Sequence, residues 1–227
     1  MKTKEHRIGT PVSESDLKTL HSGDLVYLSG KLFTIRDLAH KRIGEYVKAG
    51  GEIPFNLEGQ AIYHCGPIVR KTGVRQWQAV AAGPTSSSRF SPFVRPVLEG
   101  PGPKIIVGKG SLFPEAFKAV IENHAVYLLA VGGCAALYAA QIRRVVNAYW
   151  EEFGMVDTVW EFEIEDFGPL TVGIDLEGKS YINEMKQRLK RNLSDIYDEL
   201  GIDPNFTYTW WPQVPAGTKK ATDYSIS

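Results

Sequence analysis

The segments VAAGPTSSSRF at residues 80–90 and KIIVGKG at residues 104–110 are the two around which we organise the predicted fold. Each is an apolar run that ends in a Gly-rich turn with a cation, Arg89 in the first turn and Lys109 in the second. Short apolar runs bounded by glycine and proline are typical of buried strands. Hydroxyl groups and cations at strand ends indicate a site for a small anion. A similar cation, Arg36, follows an apolar run upstream, so we predict that these three places meet in one site.

Strands and helices alternate on both sides of these segments, as the spacing of apolar residues and turn signals indicates. The first part of the chain is predicted to form a short helix at 13–20, two strands at 25–28 and 31–34 around a tight turn, and a helix at 37–48. Further strands are predicted at 61–65, 77–82, 104–107, 125–131, 159–165 and 170–176. Further helices are predicted at 87–98, 114–122, 135–150 and 181–200.

The domain organisation follows from this alternation. No linker-like stretch divides the chain, so we interpret residues 1–200 as a single α/β domain with a mixed sheet. Residues 201–227 are predicted to be a C-terminal extension that packs on the domain or on a partner, because its first half is rich in aromatic residues.

Composition excludes several classes of protein. The 26 basic and 26 acidic side chains cancel, so the global positive field of a nucleic-acid-binding protein is lacking and any anion site must be local. No apolar run approaches the roughly 18 residues needed to span a bilayer, and residues 1–16 lack the apolar core of a signal peptide. Cys65 and Cys134 form no CxxC pair, which argues against a secreted disulfide framework. We therefore expect a cytoplasmic protein that binds neither membrane nor nucleic acid.

The turn after residues 77–82 is the first candidate site. If a helix begins near Ser86, its free N–H groups point at whatever lies beside Thr85, which is a known way to hold an anion. Arg89 would add a bidentate contact to a carboxylate. The alternative interpretation makes Thr85 or Ser86 a simple helix cap and Arg89 a solvated side chain.

Two further cations are candidates for the same anion. Lys109 lies between Gly108 and Gly110, which permit close approach of a ligand to the backbone. The spacing of a nucleotide P-loop is missing, and a solvated turn lysine is the alternative. Arg36 and Asp37 begin a predicted helix, where an acidic residue is favourable even without a function.

Histidine and cysteine give little support for a metal site in this chain. His40 and Arg42 are interpreted as surface residues of the helix at 37–48. His64 and Cys65 at a strand end are more typical of a hydrogen-bonded histidine and a buried thiol than of metal ligands. An iron–sulfur cluster needs three or four thiolates, and the chain has two cysteines, so another polypeptide must bring any such cluster.

Five ordered groups of motifs resemble the β subunit, or C-terminal domain, of class I fumarases and L(+)-tartrate dehydratases, which are iron–sulfur hydro-lyases. The motifs are GDLVYLSGKLFTIRDLAHKRI at 23–43, IPFNLEGQAIYHCGPIVRK at 53–71, AAGPTSSSRFSPF at 81–93, IIVGKGSL at 105–112, and CAALYAAQI through WEEFGM to DFGPLTVGID at 134–175. The resemblance covers the chain from about residue 13 to about residue 181, in the order of the family.

The resemblance implies a fold and a divided active site. The implied fold is the swivelling β/β/α type, a mixed sheet with a barrel-like core and packed helices. A partner α subunit would hold a [4Fe–4S] cluster whose open iron acts as a Lewis acid on the hydroxyl of the substrate. By motif match, the carboxylate-binding cations are Arg36, Arg89 and Lys109. Thr85 is placed near the carbon-bound proton and is the candidate base, although its hydroxyl would need a neighbouring acidic or basic group.

The predicted function is that of the β subunit of a two-chain hydro-lyase, inactive alone and assembled as an (αβ)2 heteromer. Fumarate and malate are the first predicted substrates, L-tartrate is a close second, and mesaconate is a further possibility. The residues predicted to support the site are Asp37, Ser86, Gly108 and Gly110. A non-catalytic dicarboxylate-binding or assembly module is the alternative, which the intact cations and Thr85 argue against. A self-sufficient hydrolase is disfavoured because no nucleophile elbow is present.

Overall fold

The computed structural model describes residues 3–203 of the chain. The strands in this range are β1 (Glu5–Gly9), β2 (Leu25–Thr34), β3 (Ala61–Tyr63), β4 (Ile68–Gly73), β5 (Gln76–Ala81), β6 (Ile105–Gly108), β7 (Val126–Leu129), β8 (Ile142–Tyr149) and β9 (Val159–Ile174). The α-helices are α1 (Glu14–Leu17), α2 (Asp37–Ala49), α3 (Ser91–Glu99), α4 (Pro114–Glu122), α5 (Ala135–Ala140) and α6 (Tyr181–Leu200). The predicted extension at 201–227 lies almost wholly outside the described residues, so that prediction stays untested.

The main sheet closes on itself. Its strand order is β1-β2-β3-β6-β7-β9-β8, and an additional pairing joins β2 to β9. The strands β2, β3, β6, β7 and β9 therefore form a closed barrel. The first four of these are parallel neighbours, whereas β9 runs antiparallel to β2 and β7. The prediction of a mixed α/β sheet with a barrel-like core and packed helices is confirmed.

The parallel strands are buried on both faces, which explains their uninterrupted apolar sequences. Along β3 and β6, successive residues alternate between two clusters of buried side chains. Ala61, Tyr63 and Ile105 belong to one cluster, together with residues of β1 and α5. Ile62 and Ile106 belong to the other, which also contains the inward faces of α2, α3 and α4. The helices thus cover one face of the sheet and fix the ends of the parallel strands.

The predicted hairpin at 25–34 is wrong, because β2 is one continuous strand. The register of β2 against β9 shifts between Leu28 and Gly30, so the Ser29-Gly30 pair bends the strand without reversing it. Gly30 has a φ of 111°, and a Cβ there would lie 2.6 Å from the carbonyl oxygen of Thr10. Glycine is therefore required where the chain at Thr10 crosses the strand.

The predicted helix at 135–150 is also wrong in its second half. α5 ends at Ala140, and the chain continues as β8, which pairs antiparallel with β9. The β-branched residues Ile142, Val145 and Val146 favour a strand once a partner edge is present. The strands predicted at 159–165 and 170–176 are likewise one continuous strand, β9. It pairs with β2 along most of its length, with β8 at its first half and with β7 at its last residues.

Residues 77–82 were expected to form a buried strand of the main sheet, which is incorrect. β5 pairs with β4 in a separate two-stranded hairpin, and its residues alternate between exposed and half-buried positions. Helices α2, α4 and α6 agree closely with the predictions. Helix α1 is shorter than the predicted 13–20 but has the expected reciprocal capping box of Ser13 and Asp16.

The contacts between Cα atoms divide the chain into two compact units. The first is Met1–Glu184 and contains the barrel, and the second begins at Met185 within α6. Within residues 3–203, no helix has the length and apolar character needed to cross a membrane.

Candidate active site

Four parallel strands end at the same edge of the barrel, and two of the predicted site residues, Arg36 and Lys109, follow them. Arg36 comes two residues after β2, His64 directly after β3, and Lys109 directly after β6. The backbone N–H of Thr85 donates to the carbonyl oxygen of His64 over 2.7 Å, which fixes the GPTSSSR turn at this edge. Parallel strands with adjacent carboxyl ends commonly form ligand sites there. We call Arg36, Thr85, Arg89 and Lys109 the site cluster.

Ser87 joins the two Gly-rich turns. Its backbone N–H donates to the carbonyl oxygen of Lys109 over 2.9 Å, and its Oγ accepts from the N–H of Lys109 over 3.1 Å. Ser87 is fully buried, and its Oγ also lies 2.8 Å from Nδ1 of His64. Sequence reasoning missed this role because three consecutive serines look alike, and only burial separates the middle one from Ser86 and Ser88.

The helix expected to begin near Ser86 is instead a four-residue 3₁₀ turn, Ser87–Phe90, and α3 begins at Ser91. Ser86 makes no side-chain capping bond, and the N–H of Ser87 is already bonded to Lys109. The N–H of Ser87 is therefore not free to bind an anion beside Thr85. Positive charge at this edge comes from side chains.

Asp37 lies between two of these cations. Its Oδ2 accepts from Nη2 of Arg89 over 2.9 Å and lies 3.6 Å from Nη2 of Arg36. The Arg36 side chain is 18% exposed, whereas that of Arg89 is 50% exposed, so Arg36 is the more desolvated cation. The Nε of Arg36 is buried without a hydrogen-bond partner. A buried donor without a partner is costly, and none of the residues 3–203 supplies an acceptor for it.

The backbone of Lys109 is fixed by two hydrogen bonds to Ser87, whereas its ammonium group is left to bind a ligand. A Cβ placed on Gly132, in the turn after β7, would lie 3.2 Å from Cδ of Lys109, so this glycine gives the lysine stem its room. Among residues 3–203, Lys109 has no ion-pair partner, and the Thr85 hydroxyl carries no hydrogen bond. Three cations and one carboxylate leave two net positive charges at this edge, which suits a dianion.

His40 was expected at the surface, and that prediction is wrong. It is 1% exposed and stacks on Phe90, with ring centroids 5.1 Å apart. Its Nδ1 donates to the carbonyl oxygen of Arg36 over 2.8 Å, and its ring lies 5.2 Å from that of His64. The signal was available in the sequence, because His40 lies about one helical turn before the buried Ile43 and about two turns before the half-buried Val47.

Both histidines are held neutral beneath the site cluster. Burial lowers the pKa of His40 to about 4 and lowers the pKa of His64 well below its ordinary value. They therefore add no charge to the site. His40 is hydrogen-bonded to the carbonyl oxygen of Arg36 and His64 to the Oγ of Ser87, so the two rings help to position these residues.

This burial predicts a loss of stability in acid. In the unfolded chain His40 takes up a proton below about pH 6.5, whereas in the folded chain it does so near pH 4, so stability falls as the pH drops through that window. One such group contributes about 1.4 kcal/mol per pH unit to the free energy of unfolding. His40→Phe keeps the stack on Phe90 and should show a shallower slope between pH 6.5 and 4.5 in urea denaturation. Parallel slopes for the two proteins would contradict a buried neutral His40.

The thiols and histidines do not fit a metal or an iron–sulfur cluster. Cys65 is fully buried in the core, and burial raises the pKa of its thiol. Cys134 precedes α5 and packs against the same core cluster. Within residues 3–203, no group of three or more histidine, cysteine, aspartate or glutamate residues could hold a metal ion. His64 is hydrogen-bonded to Ser87 through Nδ1, but its buried Nε2 has no hydrogen-bond partner among residues 3–203. The prediction of a hydrogen-bonded histidine therefore holds for one of the two ring nitrogens.

Gly108 is needed for the contact between the two turns. A Cβ at this position would overlap Oγ of Ser87 and lie 2.9 Å from Oη of Tyr127. Gly108→Ala should therefore lower the free energy of unfolding by about 2 kcal/mol or more, because neither neighbour can move without breaking its hydrogen bonds. Gly9→Ala is the matched control, since nothing lies within 4 Å of a Cβ there. Equal urea midpoints for the two variants would contradict the packing described for Ser87.

A cavity of about 600 Å³ lies elsewhere on the molecule, between the end of α2 and the loop before β3. It is lined by Val47, Phe55 and Pro101 among others and contains none of the site cluster. The predicted site residues lie instead at the edge of the barrel.

Comparison with known proteins gives consistent matches over most of the chain. The profile of the family described as Fumarase C-terminus matches residues 2–185. The L(+)-tartrate dehydratase subunit beta of Escherichia coli (strain K12) is 38% identical over 191 residues, which is 84% of this chain and 93% of that protein. A putative L(+)-tartrate dehydratase subunit beta of Methanocaldococcus jannaschii is 40% identical over 186 residues, 82% of this chain and 95% of that protein. A putative fumarate hydratase class I of Geobacillus stearothermophilus is 33% identical over 186 residues, which is 82% of this chain and 35% of that longer protein.

Proposed function

The chain belongs to the Fumarase C-terminus family, and on that premise we propose that it is the β subunit of a hydro-lyase acting on a C4 dicarboxylate. The observation that supports the proposal is that hydrogen bonds and ion pairs join the turns carrying Arg36, Thr85, Arg89 and Lys109 at the carboxyl ends of the parallel strands. Two net positive charges in a partly desolvated edge suit the two carboxylates of such a substrate.

The cations would stabilise the transition state more than the substrate. Removing a proton from the carbon next to a carboxylate moves negative charge onto that carboxylate. Arg36 offers a planar fork for bidentate binding, and Lys109 offers a point charge on a flexible stem. Because these groups are already positioned by β2 and β6, they need little reorganisation as the charge develops.

Thr85 is the proposed residue at the carbon-bound proton. A threonine hydroxyl is a weak base, and no described side chain is hydrogen-bonded to it, so an activating group would have to come from the partner chain. The backbone bond from Thr85 to His64 would hold the hydroxyl in position for that group.

The partner would be an α-type subunit carrying a [4Fe–4S] cluster, together forming an (αβ)2 assembly. Two cysteines, one of them deep in the core, are too few to hold such a cluster here. When bound to the partner, the cluster supplies Lewis-acid chemistry at the substrate hydroxyl. The residues of this chain bind and orient the carboxylates.

L-tartrate and malate/fumarate are the two proposed substrates. The sequence-based prediction puts fumarate and malate first, whereas the relatives that this chain matches over more than nine-tenths of their length are named tartrate dehydratase subunits. These names favour L-tartrate. The two substrates differ by one hydroxyl group, and a site that hydrogen-bonds it discriminates strongly.

The test is to purify this chain anaerobically with a cluster-bearing α subunit and measure initial rates with L-tartrate, malate and fumarate. We expect water loss or addition with at least one of them, and a preference of about 100-fold or more in kcat/KM between tartrate and malate. A complex with an intact cluster that binds these acids without turning any of them over would contradict the proposal and favour a non-catalytic dicarboxylate-binding module.

A further inference from the structure

Helix α6 carries an exposed apolar stripe. The stripe consists of Met185, Leu189, Leu193, Ile196 and Leu200, each between 44% and 65% exposed. Their spacings of 4, 4, 3 and 4 residues keep them on one face of the helix, close to the period of about 3.67 that an 11-residue repeat produces. Such a face on a 20-residue helix is long enough, about 30 Å, to pair with another helix.

The charges of α6 are ordered along the helix in an unusual way. After the first turn, the basic residues are Lys186, Arg188, Lys190 and Arg191, and the acidic residues that follow are Asp195, Asp198 and Glu199. The helix macrodipole favours the reverse order, with acidic residues first and basic residues last. The last turn of α6 contains no basic residue. This order of charges therefore destabilises an isolated helix and suits a helix that packs against an antiparallel partner helix.

One flank of the stripe shows which orientation fits. Arg188, Asp195 and Glu199 are separated by 7 and 4 residues, so they lie on one line along the helix, beside the stripe. In an antiparallel pair of α6 helices, this flank of one helix faces the same flank of the other. Residue 188 of one copy then lies at a height between residues 195 and 199 of the other. A parallel pair would instead bring the basic halves together.

We propose that α6 pairs with α6 of a second copy of this chain, antiparallel and stripe against stripe. Arg188 of each copy would lie between Asp195 and Glu199 of the other, so the two-fold axis generates two such ion triads. This surface goes beyond the proposed function, because the family match ends at residue 185 and most of α6 lies outside it. Five apolar side chains per copy form a small interface, so a dissociation constant on the order of 10 µM is expected.

The first test is sedimentation equilibrium of the full chain. The wild-type protein should be mostly dimeric at about 50 µM, and Leu189→Glu with Leu193→Glu should weaken dimerisation at least about 100-fold. Val74→Glu is the control, since Val74 is 90% exposed on the β4–β5 hairpin and should leave the dimer unchanged. A wild-type monomer, or a dimer that persists in the double variant, would overturn the proposal.

Charge reversal tests the antiparallel orientation separately. Arg188→Glu alone and the pair Asp195→Lys with Glu199→Lys should each be monomeric, because each places like charges together on both sides of the axis. Mixing the two variants should restore a dimer containing one copy of each. Failure of the mixture to dimerise would overturn the orientation. A stripe that binds only the cluster-bearing subunit, or one that pairs only after deletion of residues 204–227, would overturn the choice of partner.

Discussion

Arg36→Met is expected to lower kcat/KM of the reconstituted enzyme about 1,000-fold. The Arg36 side chain is less exposed than that of Arg89, and its Nε is buried without a hydrogen-bond partner among residues 3–203. Losing the guanidinium would remove the bidentate contact to a carboxylate on which charge develops. It would also leave Asp37 with Arg89 as its remaining cation. The loss should appear in kcat as well as in KM, because the contact strengthens in the transition state.

Two controls distinguish this effect from general loss of charge or stability. Arg36→Lys keeps the charge without the planar fork, so it should recover part of the activity but not all of it. Arg95→Met removes an arginine of α3 that pairs with Glu99 and Glu122, and it should leave kcat/KM within about twofold. Steady-state kinetics on the three complexes make the comparison. Equal activities for Arg36→Met and Arg95→Met would contradict the role of Arg36.

Thr85→Val should lower kcat about 100-fold or more while changing KM little. Valine matches the shape of threonine and removes only the hydroxyl, and the backbone bond to His64 stays in place. Thr85→Ser restores a hydroxyl and should recover most of the rate. Thr72→Val, on the exposed β4–β5 hairpin, is the matched control. If Thr85→Val kept the wild-type kcat, the hydroxyl would have no part in the proton transfer.

The parts of the fold that sequence predicted correctly are those that local pattern determines. Apolar runs with glycine or proline at their ends gave β3, β6 and β7, and helical periodicity gave α2, α4 and α6. The pairing partner of a segment is a long-range property. The region after Ala140 became β8 because β9 offers it an edge, and β2 continues through Gly30 because Thr10 crosses it there. Neither neighbour can be inferred from the segment itself.

The site residues show the same difference between what local sequence determines and what long-range packing determines. Arg36 and Lys109 were predicted because each follows an apolar run, and parallel strands bring such positions together. Arg89 reaches the same edge differently, through the bond of its turn to Lys109 and its ion pair with Asp37. Ser87 and His40 were missed because their roles depend on burial against other segments, Lys109 for the serine and Phe90 for the histidine. The roles assigned to the site cluster stay predictions until variants are measured.

The most direct test of the divided active site is a titration. A fixed amount of cluster-bearing α subunit is mixed anaerobically with increasing amounts of this chain, and water addition to fumarate or loss from L-tartrate is recorded. We expect no turnover by either protein alone and a rate that saturates at one copy of this chain per α subunit. Turnover by this chain without added protein, or a rate that does not depend on this chain, would contradict it.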